Sequence, residues 1–145
     1  MAAEYSYTLA TPQTVAEDEN IIFLDGERAC RKGYITHRSG SGVFRLKGAG
    51  NACKTVYRVT FNAKIAVATG GTVGAISVAL QEDGETLQNA IATVTPTAAE
   101  AFFNVSLTTF ITIPCGCCVT VSVENISDGT AIDVTNSNII FDRVA

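Results

Sequence analysis

The side chains in this sequence that could do chemistry are few. Five cysteines stand at Cys30, Cys53, Cys115, Cys117 and Cys118. A thiolate is both a nucleophile and a soft metal ligand, so Cys115-Gly-Cys117-Cys118 is the densest candidate. Structural zinc sites are usually built from two paired ligand clusters. One Cys-x-Cys-Cys with two isolated cysteines fits that spacing poorly, although symmetry could bring clusters from several copies together. On an extended strand Cys115 and Cys117 share a face with Val119 and Val121, and Cys118 points the other way. Three readings stay open. Cys117 is a small buried hydrophobe with the other thiols reduced; or a disulfide such as Cys30–Cys53 forms; or Cys115, Cys117 and Cys118 hold a metal.

His37 is the single histidine, so any Ser–His or Cys–His nucleophilic pair would have to use it. It stands beside Arg38 and Ser39-Gly-Ser-Gly, a polar setting in which a hydrogen-bonded or solvated imidazole is the ordinary outcome. Carboxylates gather at Glu17-Asp18-Glu19 and at Glu82, Asp83 and Glu85. The first group lacks the spaced Asp-x-Asp-x-Asp order of a calcium loop, and turn solvation accounts for both groups. The glycines have no phosphate-binding spacing. Asn104-Val-Ser and Asn125-Ile-Ser match glycosylation sequons, which matter only in an exported chain. No acid/base pair stands out, so no enzymatic activity and no cofactor is expected.

The elements that carry these residues read as strands. From Val56 to Val67, Tyr57, Val59, Phe61, Ala63, Ile65 and Val67 alternate with Arg58, Thr60, Asn62 and Lys64. Ile76, Val78 and Leu80 alternate with Ala75, Ser77, Ala79 and Gln81. Phe103, Val105, Leu107, Ile111 and Ile113 oppose Asn104, Ser106, Thr108 and Thr112. Val119, Val121 and Val123 oppose Thr120, Ser122 and Glu124, and Asn138–Val144 closes the chain. Shorter strands are expected at Tyr5–Leu9, Asn20–Leu24, Tyr34–His37, Val43–Lys47 and Leu87–Val94. Gly70-Gly71, Asp83-Gly84 and Asp128-Gly129 suit turns that need positive φ. Pro96 and Pro114 close strands, and Thr97–Phe102 is a loop or one helical turn. About ten strands without intervening helices make an all-β sandwich or barrel. One domain over residues 1–145 is expected, with 1–19 as an N-terminal arm or edge strand.

Composition adds a constraint. The chain has 145 residues, 47% hydrophobic and only 17% charged, with a mean hydropathy of +0.25. Such a charge-poor surface is expected to be covered in part by a subunit interface. Tyr5, Tyr7, Phe102 and Phe110 lie on faces opposite the obvious core positions. They are candidates for that interface, the alternative being that some fill the second side of the sandwich. The net charge is −4 with scattered Lys and Arg, which argues against a nucleic-acid partner. Met1–Tyr7 lacks a cationic stretch followed by an apolar run, so synthesis as a cytoplasmic product without a signal peptide is expected. No apolar run reaches the length of a membrane helix, so membrane insertion is not expected.

The order of segments resembles a known superfamily. Ile35-Thr-His-Arg-Ser-Gly-Ser-Gly-Val-Phe-Arg-Leu-Lys-Gly48 precedes Tyr57-Arg-Val-Thr-Phe-Asn-Ala63. Ala75-Ile-Ser-Val-Ala-Leu-Gln-Glu-Asp-Gly-Glu85 follows, then Phe110-Ile-Thr-Ile-Pro114, Val119-Thr-Val-Ser-Val-Glu-Asn125 and Ile139-Ile-Phe-Asp-Arg-Val144. Across roughly residues 20 to 145 this resembles the tumour-necrosis-factor-like superfamily, with the complement globular head and the C-terminal domains of collagen-like spore-surface proteins. More narrowly, Gly71-Thr-Val-Gly-Ala-Ile76 and Pro114-Cys-Gly-Cys-Cys118 resemble small proteins of Firmicutes prophages and gut bacteria. The Gly-Asp turn usual before the Val-x-Val-x-Val strand is replaced here by Cys-Gly-Cys-Cys.

The resemblance implies a two-sheet antiparallel jelly-roll sandwich of ten strands, a homotrimer about a threefold axis, and no catalytic residues. The function expected on that basis is structural: a module of a phage or prophage-derived particle, as head decoration, fibre or tail-associated component at the virion surface. The partners are then sister copies and other virion or surface proteins. A receptor- or carbohydrate-binding knob and a bacterial spore or cell-surface protein are the alternatives. The Gly-x-y repeats that precede this domain in collagen-like relatives are not found in this sequence.

Overall fold

The computed structural model describes residues 3–9, 12–23, 35–38, 40–48, 54–114 and 118–144, the first of these segments as backbone only. The described residues form ten strands and no helix: β1 (Ala3–Leu9), β2 (Gln13–Val15), β3 (Ile35–His37), β4 (Val43–Lys47), β5 (Lys54–Val67), β6 (Ile76–Glu82), β7 (Glu85–Val94), β8 (Phe103–Pro114), β9 (Cys118–Asn125) and β10 (Ile132–Arg143). Hence no helix of these residues is long and apolar enough to cross a membrane. One sheet has the order β1-β10-β5-β8, with β2 also on β10; the other runs β3-β4-β9-β6-β7. Every pairing is antiparallel.

Two-residue alternation explains why the sheets stack. Tyr57, Val59, Phe61 and Ile65 of β5 are fully buried, as are Ile76, Val78 and Leu80 of β6 and Val121 and Val123 of β9. These rows face one another; the alternate row of β8 is exposed, whereas Ala79 and Gln81 of β6 and Ser122 of β9 are buried as well. Phe23 and Phe44 meet Phe61 and Phe141 across the gap, with ring centroids 4.9 to 6.2 Å apart. The Asp83-Gly84 turn has positive φ at both central residues, 52° and 84°, as a two-residue hairpin with right-handed strands requires.

Four expectations change. β10 begins at Ile132 rather than Asn138, because Ile132 and Val134 alternate into the core ahead of a bulge at Asn136. Gln13–Val15 is a strand that the sequence reading missed. Asn20–Leu24 reduces to one bridge, Asn20 to Glu124, with Leu24 outside the described residues. The Gln13 side-chain amide takes both the N–H and the C=O of Ile22 at 3.0 Å, and Phe23 bonds to Gly40 and Ser41, so no ladder continues there. Finally, Phe103 shares the inward row of β8 but is 43% exposed, since it lies at the open margin of the sandwich. Residues 97–102 form an irregular connection, the loop of the two options. A side chain at Gly42 would place Cβ 2.7 Å from the Ile21 carbonyl oxygen, so that crossing requires glycine.

Candidate assembly surface

Between Glu85 and Glu124 the sequence holds a single charged side chain, Glu100. This run supplies β7 and β8, the last strands of the two sheets, which lie against each other along one side of the sandwich. Even Glu100 is turned aside. Its backbone sits at φ 62°, its N–H donates to the Val67 carbonyl, and its carboxylate accepts from Thr69 Oγ1 at 2.9 Å. Exposed apolar side chains take the place of charge: Ile91, Phe102, Phe103 and, at 63% exposure, Phe110.

Phe110 points outward from β8 in a row that crosses three strands. It stands opposite Arg58 of β5, which stands opposite Asp142 of β10, and Arg58 Nη2 donates to Asp142 Oδ2 at 2.6 Å. Thr108, Thr60 and Ile140 form the next row, and Ser106, Asn62 and Asn138 the one after, with Asn62 Nδ2 donating to Asn138 Oδ1 at 3.2 Å. Phe102 lies just before β8 and Phe110 is the eighth of its twelve residues, so about 24 Å of strand separates Phe103 from Phe110. Both are exposed, and they are separated along the chain by most of the strand.

Tyr5 and Tyr7 pair in register with Phe141 and Ile139, which belong to the inward rows of β10, whereas Ser6 and Thr8 pair with Ile140 and Asn138. Their side chains lie outside the described residues, and their register does not put them beside Phe110. The signal that would have found this surface in the sequence is the long uncharged run, which depends on no strand assignment.

The remaining candidates are dispersed. Cys30, Cys53, Cys115 and Cys117 lie outside the described residues. Cys118 is exposed at the start of β9, its sulfur accepting from Arg45 Nη2 at 3.0 Å. Among the described residues no three His, Cys, Asp or Glu side chains come together in a way that could hold a metal. His37 Nε2 is 2.8 Å from the Ser41 carbonyl oxygen and its ring stacks on Phe44 at 4.2 Å, while Ser41 Oγ accepts from Val43 N–H. His37 Nε2 and Ser41 Oγ thus each meet a backbone group.

The sequence matches no family model and no curated protein. Solved structures do match. The Eiger tumour necrosis factor of S. frugiperda superposes over 100% of this chain and 94% of its own, with a TM-score of 0.68 at 12% identity. The globular domain of zebrafish complement 1qA superposes over 99% of this chain and 96% of its own, with a TM-score of 0.54 at 11% identity. The fold is a TNF-like jelly roll. At such identities the likeness concerns architecture, and the sequence order that pointed to it was read correctly.

One acidic corner of this jelly roll has a measurable consequence. Glu82 and Glu85 are directly opposed across the β6–β7 hairpin. Burial, then the charges of Asp83 and Glu85, raise the Glu82 carboxyl above its ordinary value. Glu124 is raised by burial and by Asp18, against a hydrogen bond from Gln81 that lowers it. A carboxyl raised in the folded state contributes stability that is complete below the unfolded value near 4.5 and is lost as pH climbs through the folded value. This contribution therefore grows as pH falls from 7 towards 5. Glu85→Lys replaces like charges by opposite ones and is expected to raise the melting midpoint by about 1–3 °C at pH 7. It should also shrink the gain seen in mild acid. Melts at pH 7 and pH 5 on both proteins check this; identical pH responses would mean that the hairpin carboxyls do not interact.

Proposed function

We propose that this chain is a non-enzymatic assembly module, a homotrimer of jelly rolls in a phage or prophage-derived particle. The observation that carries the reading is the β7–β8 side of the sandwich, where Glu100 is the one charged residue between Glu85 and Glu124 and Phe102, Phe103 and Phe110 are exposed. Sheet edges on soluble monomers are usually blunted by charge, proline or bulges, and this one is suited to being covered. A surface used once per copy closes a ring when the rotation between copies is right, and the superfamily resemblance supports a threefold ring. The placement in a particle, with synthesis in the cytoplasm and display at the particle surface, is drawn from the prophage-like segments at 71–76 and 114–118. Compact β assemblies of this kind suit a particle exposed to proteases, because their open edges are hidden.

Light scattering tests the assembly. The expected mass is three times the 15.2 kDa of one chain. Phe110→Asp places a carboxylate in the contact and is expected to weaken it by about 2–4 kcal/mol, releasing single chains whose β circular dichroism is unchanged. A wild-type chain of 15.2 kDa at micromolar concentration overturns the reading. The particle role is tested by mass spectrometry of particles purified from an induced lysogen; particles lacking the chain would remove that part and leave the assembly intact.

A further inference from the structure

Strand β8 lacks the devices by which sheets keep their edges from pairing with other chains. No charged residue occurs from Phe103 to Pro114, and proline stands only at the last position. Its ladder with β5 runs from Lys54↔Pro114 to Ile65↔Phe103 without a register shift, whereas the β1–β10, β10–β5 and β6–β7 ladders each contain one. Twelve unbulged residues offer about 40 Å of regular backbone, and among the described residues only β5 pairs with it. Within it, Leu107-Thr-Thr-Phe-Ile-Thr-Ile113 is an uncharged run of β-branched, aromatic and aliphatic residues free of glycine and proline. That is the composition of segments that stack on copies of themselves.

We infer that the outer edge of β8 is a strand-pairing site for the β8 of a second copy, running antiparallel, which opens when the assembly proposed above comes apart. The trigger rests on that assembly reading; the pairing chemistry stands on the strand itself. The strand is self-complementary. With Thr109 opposite its own copy, Leu107 meets Ile111 and Val105 meets Ile113 on the inward face, while Thr108 meets Phe110 on the outward face. Aliphatic side chains meet aliphatic ones, threonine meets an aromatic ring, and no charge is buried. The other open edges are defended: β7 starts on Glu85 and reaches β6 through a register shift, β1 contains Glu4, and β3 has three residues. Covering Phe110 in the assembly thus also removes the strand most prone to uncontrolled pairing.

Three proteins test this at 37 °C and micromolar concentration: wild type, Phe110→Ser, and Phe110→Ser with Ser106→Lys and Thr112→Lys. The serine removes the apolar anchor and leaves the edge uncharged, and the two lysines stand on the exposed row of β8. Wild type is expected to hold the fluorescence of thioflavin T alone over a day. Phe110→Ser should rise about tenfold above it, and the added lysines should return the signal to within about twofold of wild type. If Phe110→Ser loses its β spectrum, wild type diluted below its dissociation concentration takes its place. A folded, dissociated Phe110→Ser chain without the signal, or one that aggregates as fast with the lysines, overturns the inference and leaves the assembly reading standing. Wild type found monomeric overturns that reading instead. In that case wild type itself must rise about tenfold above the dye alone and Ser106→Lys/Thr112→Lys must abolish the rise, or the inference falls too.

Discussion

Phe44→Ala is expected to cost about 4 kcal/mol, close to the upper range for emptying a buried aromatic position. Phe44 is fully buried on β4 and lies 5.5 Å from Phe23 and 4.9 Å from Phe141, ring centre to ring centre, with the His37 ring stacked at 4.2 Å. Phe141 belongs to the opposite sheet, so Phe44 is one of the side chains through which the two sheets touch. Removing it leaves a cavity that rigid β ladders on both sides cannot close, and each neighbouring ring loses contact area. For a chain of 145 residues the melting midpoint should fall by roughly 8–16 °C. Urea titration of both proteins gives the number directly. A loss below about 1.5 kcal/mol would show that the sheets relax into the gap and that the aromatic cluster does not hold them apart.

The second large effect is expected at Asn125, which is polar, fully buried and at the end of β9. Its Nδ2 donates to the carbonyls of Val15 and Thr130, both at 3.0 Å, and its Oδ1 accepts from Ser127 N–H at 2.9 Å. One side chain therefore ties β2, β9 and the 126–131 connection together. Asn125→Ala strands two carbonyls and one N–H without water, at a cost of about 3 kcal/mol or more. Asn125→Asp keeps the acceptor for Ser127 but faces the two carbonyls with a carboxylate, and should be at least as damaging at neutral pH. Chemical denaturation with hydrogen exchange at Ser127 checks both. If alanine costs under 1 kcal/mol, water has replaced the amide and the site is wetter than its burial suggests. The same geometry takes Asn125-Ile-Ser out of consideration as a glycan site in the folded chain.

The core was legible because it depends on a single property, the alternation of side chains along a strand. Tyr57 to Val67 and Val119 to Val123 read the same in the sequence and in the fold. What escaped depends on pairings distant in sequence. β2 is three residues of ordinary composition held in place by β10, some 120 positions away, and nothing local marks Gln13–Val15 as a strand. The start of β10 was hidden by the bulge at Asn136, which breaks the alternation that period reading follows. Phe103 has the right parity for the core but sits where the covering sheet ends, a boundary that parity does not encode. At the candidate surface, Phe102 and Phe110 were legible as lying opposite the core positions, but not that Phe102 precedes β8, nor the row that joins Phe110 to Arg58 and Asp142.

Strand order also bears on how the molecule comes into being on the ribosome. β10, synthesised last of the ten, lies between β1 and β5 and is the partner of β2 as well. Until it emerges, β1 and β2 have no partner strand and β5 is paired on one side only, by β8. Formation of that sheet is dominated by pairings distant in sequence, hence slow, and a chain stopped before β10 would lose the strand that joins β1 and β2 to β5. Completion is built into the connectivity: only a chain that includes β10 can close the β1-β10-β5-β8 sheet.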